Sequence, residues 1–278
     1  MRGTVLLSVM LGAASQKADS AKLESPLPQP NPPNWPSSVK VFGPSDDPQD
    51  ILRELAKAQE QLNDRAAGHF SSERLALLFK PGRYDFDVKV GYYTQVLGLG
   101  AAADEVVFGG RRGVHVTAMD TRPGGAGSLD TFWRSAENFK SEASEGMMWA
   151  VSQAAPLRRV HVAGNLSLHD GAFYASGGFA AGLQVDGKLS MGPQQQWMMR
   201  NSNLNESFAN EVGGAWSFVY VGCPGAPESS PGGSGVWPAK GGPAVHSVAR
   251  TPLVAEKPFV AWKAQQESGG SGSGGGDG

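Results

Sequence analysis

The chain has 278 residues, a formal net charge of −2 and a sequence pI near 6.2. It is long enough to bury a large core and lacks the basic balance of a general nucleic-acid binder. With 38 Gly, 19 Pro and 18% charged residues, it does not have the Glu-, Lys- and Leu-rich composition of a helical bundle and reads as a turn-rich β protein. Cys223, the one cysteine of the sequence, excludes an internal disulfide framework and a Cys-based zinc site.

Arg2, the apolar run Val5 to Ala14 and the small residues through Ser15 form the pattern of a signal peptide over residues 1–20. The run falls short of the ~20 apolar residues of a membrane span, so the expectation is a secreted, extracellular protein without a span. Residues 21–38 carry Pro26, Pro28, Pro30, Pro32, Pro33 and Pro36 and read as an extended linker. Residues 264–278 are Gly/Ser-rich, almost all Gly and Ser from Ser268 onward, and read as a flexible tail. The folded body is therefore expected over 39–263.

Asp47-Pro48 opens a helix expected over 47–66, with an acidic N-cap, Pro at the first helical position and Asp50 in the first turn. Ile51, Leu52, Leu55, Ala58 and Leu62 give it one apolar stripe. Short β-rich runs follow: Leu75–Phe79, Gln95–Leu99, Glu105–Phe108, Val114–Thr117, Thr131–Trp133, Arg159–Ala163, Phe179–Val185, Gln196–Met199 and Trp216–Val221. Their centres recur mostly at about 17 to 27 residues, the length of one solenoid turn. The expected fold is all-β: a right-handed parallel β-helix, a single-stranded solenoid with an N-terminal capping α-helix. Aligning the apolar centres places Asn138, Asn165, Asp186 and Asn203 in one column, an expected side-chain ladder.

The segment Phe79-Lys80-Pro81-Gly82-Arg83-Tyr84 followed by Val96-Leu97-Gly98-Leu99-Gly100 resembles the opening turns of pectin-lyase-like β-helix proteins. The stretches Val90–Val96, Phe132–Asn138, Ala150–Val160, Ser176–Phe179, Gln194–Trp197 and Arg200–Ser202 are similar to a group of secreted bacterial β-helix proteins related to glycoside hydrolase family 55, the β-1,3-glucanases. Some relatives in that group are called adenylyl cyclases, but no phosphate-cradling Gly loop with Lys and no paired metal-binding aspartates occur here. The resemblance runs from about Val39 to Phe259 and implies the first of the two β-helices that family 55 enzymes carry. It implies a polysaccharide partner and a second β-helix module, with the acid catalyst beyond this segment.

Glycoside hydrolysis needs two carboxyl groups about 5–5.5 Å or about 6.5–9.5 Å apart, separations that neighbouring solenoid turns can supply. Asp120, Asp130, Glu137, Asp170 and Asp186 are the candidates. Glu137 is the leading catalytic candidate, and a structural ion pair with Arg134 or Arg158 is its alternative. Flat apolar surface with polar neighbours suits sugars, which marks Trp133, Arg134, Gln153, Gln195, Trp197 and Arg200 as substrate-binding candidates. His69, His115, His161, His169 and His246 lack metal-ligand spacing, so no metal and no cofactor is expected. A glucanase-like enzyme acting on an extracellular polysaccharide is the leading expectation. A non-catalytic polysaccharide-binding or structural solenoid and one half of a two-helix hydrolase are the alternatives.

Overall fold

The computed structural model describes residues 33–171, 173–204, 217–232, 244–252 and 256–263. The expected signal peptide, most of the linker and the Gly/Ser tail lie outside the described residues. The fold is a parallel β-helix of about seven turns. Its main sheet stacks the strands Val39–Phe42, Leu75–Phe79, Thr94–Gly98, Ser135–Ser141, Leu157–Val162, Phe179–Ala181, Gln196–Arg200, Ser217–Val221 and Ala244–Val248, every neighbouring pair parallel. Two short parallel sheets, Val88–Lys89 with Val114–His115 and Met147–Met148 with Leu166–Ser167 and Leu189–Ser190, lie elsewhere on the turns. Among the described residues no helix is long and apolar enough to cross a membrane.

Strand periodicity separates inside from outside. The register sets Leu77, Val96, Ala136, Leu157, Ala180, Met199 and Tyr220 in one column, all buried. The next column faces the other way and carries Leu78, Leu97, Glu137, Arg158, Ala181 and Arg200.

Two columns of left-handed residues run across the sheet. At its leading edge Tyr93 (φ 52°), Trp133 (φ 53°), Ala154 (φ 59°) and Gly177 (φ 97°) stand in register. At a second bend, inside strands Ser135–Ser141 and Leu157–Val162 and just past the ends of the later strands, stand Asn138 (φ 61°), Arg159 (φ 49°), Gly182 (φ 66°), Asn201 (φ 48°) and Gly222 (φ 64°). This conformation bends the chain sharply and is uncommon outside Gly, Asn and Asp. The Asn138 side-chain amide meets the second bend by donating to the carbonyls of Gly98 and Gly100, both at 2.8 Å, and Arg159 Nε donates to its Oδ1 at 3.3 Å.

The expected Asn138, Asn165, Asp186 and Asn203 column does not form. Asn138 lies opposite Arg159, and Asn203 opposite Gln184. Turns differ in length, so apolar centres spaced alike in sequence do not share a register. The expected strand Thr131–Trp133 is irregular, and the strand starts at Ser135, because Trp133 turns left-handed first. The cap also differs from one helix over 47–66: it is two, Pro48–Gln59 and Arg65–Gly68. Asp47 accepts from Gln49 N at 2.7 Å, and Asp64 restarts the helix by accepting from Ala67 N at 2.7 Å. Strand Val39–Phe42 precedes both, so the helices lie within the first turn, and buried Ile51, Leu55 and Leu62 attach them to the core.

His161 ties three turns together on the outer surface. Its Nδ1 and Nε2 each lie 2.7 Å from a carboxylate, Asp104 and Asp186 respectively. Partial burial lowers its pKa, but the hydrogen bonds to Asp186 and Asp104 outweigh burial, and the net direction is upward. Lys140, paired with Glu142, also acts on Asp104 and Asp186. A raised folded-state pKa means this contribution is complete below the unfolded value of about 6.5 and fades as pH rises through the folded value. Solvent screening holds it to about 0.5 kcal/mol. Melting curves between about pH 6 and pH 9 should show a fall in Tm with pH that is shallower in His161→Gln; an unchanged slope would remove His161 from the pH response.

Candidate functional site

The leading edge of the main sheet brings three of the sugar-binding candidates together. One residue before the left-handed column, the register sets Phe132, Gln153, Ser176 and Gln195 in line on successive turns, each about 4.8 Å from the next. Gln153 is exposed and Gln195 half-buried; Ser176 between them is buried, its hydroxyl accepting from Ser152 Oγ at 3.1 Å and directed to Leu129 O at 3.5 Å. Trp133 stands beside this row, its ring parallel to Tyr93 within 3° at 5.4 Å, and the Arg74 guanidinium lies 4.0 Å from the Tyr93 ring centroid. His69, Phe70 and Phe132 complete an aromatic cluster around Trp133, in which Phe70 is 81% exposed.

Two other candidates face the interior and do not join that edge. Arg134 is buried, donating to the carbonyls of Val90 at 2.5 Å and Phe132 at 3.2 Å, with its guanidinium over the Tyr92 ring. Desolvation brings its pKa down to about 10, which leaves it charged at neutral pH. The Tyr92 hydroxyl donates to Asp130 O at 2.7 Å, and burial, then the nearby Asp130 charge, push its pKa up to about 12. Trp197 points inward, where its ring occupies the space over Gly178. A Trp and an Arg flanking polar residues look alike in sequence whether they face in or out; strand phase decides.

Arg200 and Glu137 stand near the other end of the strands, on the outward column. Residues 256–263 cross that face as a strap. Glu256 accepts from Arg158 at 3.0 Å, from Arg200 Nε and Nη2 at 3.0 and 2.9 Å, and from Asn201 at 2.8 Å. Burial raises the Glu256 pKa, but the bonds from Arg200, Asn201 and Arg158 outweigh it and leave it lowered. Lys257 Nζ lies 2.7 Å from both carboxylate oxygens of Glu137, with Arg158 further off at 3.9 Å. Beyond it, the Arg159 guanidinium lies over Phe259, and Trp262 N donates to Leu99 O at 2.6 Å. Of the two partners considered for Glu137, Arg158 is therefore a distant one, and Lys257 is the principal partner.

A buried carboxylate held by an ammonium at both oxygens is suited to structure rather than to proton donation. Lys257→Ala should cost about 2 kcal/mol in urea denaturation, because Glu137 is then left with a poorly placed counter-charge. Glu137→Gln should also destabilise without weakening glycan binding at the leading edge. A Glu137→Gln chain of unchanged stability that no longer binds glycan would contradict this assignment.

The other four carboxylates are likewise engaged. Asp120 pairs with Arg122, Asp130 with Arg65, Asp186 with His161 and Gln184, and Asp170 accepts from Ala118 N at 2.9 Å. Among the described residues no group of three or more His, Cys, Asp or Glu forms a metal site. Cys223 is buried, and desolvation raises its thiol pKa.

Stacked parallel turns define the chain as a parallel β-helix protein. No protein-family profile matches the sequence. An exo-β-1,3-glucanase from Streptomyces sp. (strain SirexAA-E / ActE) is 37% identical over 227 residues, which are 80% of this chain and 34% of that protein. The structure of sacteLam55A from Streptomyces sp. SirexAA-E matches with a TM-score of 0.67 and 34% identity, covering 83% of this chain and 38% of that one. An ensemble-refined variant of sacteLam55A in complex with glucose gives the same values. The chain is thus a β-helix similar to the glucanases of glycoside hydrolase family 55, and it spans about a third of the length of the relative it matches.

Proposed function

We propose that the chain is a secreted, glucanase-like carbohydrate-active protein whose leading edge holds a β-1,3-glucan. The observation that carries this reading is the in-register pair Gln153 and Gln195 beside Trp133, in a chain 37% identical to an exo-β-1,3-glucanase. The side-chain amides of Gln153 and Gln195, two turns apart, can bond sugar hydroxyls, while the aromatic ring takes the apolar face of a pyranose. Binding is the better supported part. Hydrolysis needs an acid and a second carboxylate, and each of the five carboxylates considered has a structural partner. In this reading the hydrolytic carboxyls come from outside the described residues, as from a second β-helix module.

Reducing-sugar release and pull-down on a panel of β-1,3-, β-1,4- and uronic-acid polysaccharides test the reading. Retention on the β-1,3-glucan, lost in a Gln153→Ala, Gln195→Ala double variant, is the expected result. Absence of retention on every member would overturn it. Release from β-1,3-glucan that vanishes in Glu137→Gln would instead make this chain the hydrolase and Glu137 its catalyst.

A further inference from the structure

The aromatic residues of the leading edge form a column that stops abruptly. Arg74, Tyr93 and Trp133 occupy one register position on three successive turns, and their flat groups stack: guanidinium over phenol at 4.0 Å, then phenol parallel to indole at 5.4 Å. Those spacings follow the turn-to-turn rise of about 4.8 Å. The next two residues of the column are Ala154 and Gly177, which supply no ring. Trp133 therefore has one face on Tyr93; Phe132, His69 and Phe70 are tilted against it at 5.0, 5.3 and 5.7 Å, and Ala154, which follows it in the column, is exposed. A cavity of about 310 Å³ flanks the column from Arg74 through Tyr93 and Trp133 to Ala154, lined also by Gln95, Ser135 and Pro156.

Tyr93 and Trp133 hold this alignment at a cost, since bulky side chains rarely adopt left-handed backbone. A left-handed bend could be made with glycine, as it is at Gly177. Keeping two large rings there orders them rigidly before any ligand arrives, which lowers the entropic cost of binding.

We propose that the side of Trp133 opposite Tyr93 is a stacking subsite and that one pyranose ring of a neutral β-glucan supplies the missing rung over Ala154. This rests on the glucan-binding reading above and adds the position and orientation of a sugar unit. The ring would lie flat against the indole with its edge hydroxyls towards Gln153, which is on the same turn as Ala154. The glucan would then run along the solenoid axis from Trp133 towards Gln195.

The test is calorimetric titration of the full chain with laminarihexaose, using Trp133→Ala, Ala154→Phe and Gln153→Ala beside the wild type. Ala154→Phe fills the rung with the protein's own ring at a position whose column already accepts Tyr and Trp, and melting curves show which variants remain folded. Both Trp133→Ala and Ala154→Phe should raise Kd about tenfold or more. The difference in emission between wild type and Trp133→Phe should change on saturation. If both variants stay within about twofold of wild type while Gln153→Ala weakens binding, the subsite is wrong and the glucan-binding reading stands. If wild type binds no glucan, both fall. Self-association of the wild type that Trp133→Ala abolishes, with glucan affinity unchanged, would assign the patch to a protein partner and overturn the proposal.

Discussion

Gly177→Ala should be the most damaging single substitution at the leading edge, costing more than about 4 kcal/mol and leaving little folded protein. A methyl group at Gly177 would fall on the carbonyl oxygen of Gln196, the residue opposite on the next turn. Neither atom can yield, because both belong to backbone held by the sheet: Gln196 N donates to Ser176 O at 3.3 Å, and Gly177 N donates to Val151 O at 3.3 Å. The turns would have to separate at the row that carries Ser176 and Gln195. Gly171→Ala is the control, since Gly171 also has a positive φ, 58° against 97° at Gly177, but nothing within 4 Å of the added methyl. It should cost only about 1 kcal/mol. Urea denaturation of the two variants measures the difference, and equal losses would show that backbone conformation rather than turn spacing sets the cost.

Asn138→Ala should destabilise by about 3 kcal/mol, because it removes two hydrogen bonds from a fully buried site and strands two carbonyls. The amide is the feature that matters. Asn138→Asp keeps the shape and the tolerance for a left-handed backbone, yet turns an acceptor towards the carbonyls of Gly98 and Gly100, so it should be at least as harmful. Asn138→Gly relieves the backbone and leaves the carbonyls unmet, and should fall between these variants and the wild type. Thermal denaturation of the three orders them; an Asp variant as stable as the wild type would contradict the role given to the amide.

The parts of the fold that were legible in the sequence are those whose strands look like strands. Leu75–Phe79 is apolar throughout and was expected at the bounds where it occurs. Ser135–Ser141 was not legible, because its outward column carries Glu137 and its bend carries Asn138, which leaves Ala136 and Phe139 as the inward apolar residues. The neighbouring Thr131–Trp133 run looked more strand-like and is not one. Residue types at the candidate site were readable: Trp133, Gln153 and Gln195 do share an edge. Their grouping was not, because it depends on turns of unequal length coming into register. The burial of Arg134 and Trp197 was equally hidden, since it follows from strand phase and from the carbonyls of Val90 and Phe132. The strap was hidden for another reason: Lys257 lies 120 positions from Glu137, and no local pattern joins them.

Hydrogen–deuterium exchange of the full chain with and without laminarihexaose tests the central claim most directly. The account predicts added protection in peptides covering 132–134, 152–154, 175–178 and 194–197, four segments far apart in sequence and adjacent along one edge. Protection confined to the strap at 256–263 and the outward face around Glu137 and Arg200, with the four segments unchanged, would contradict it.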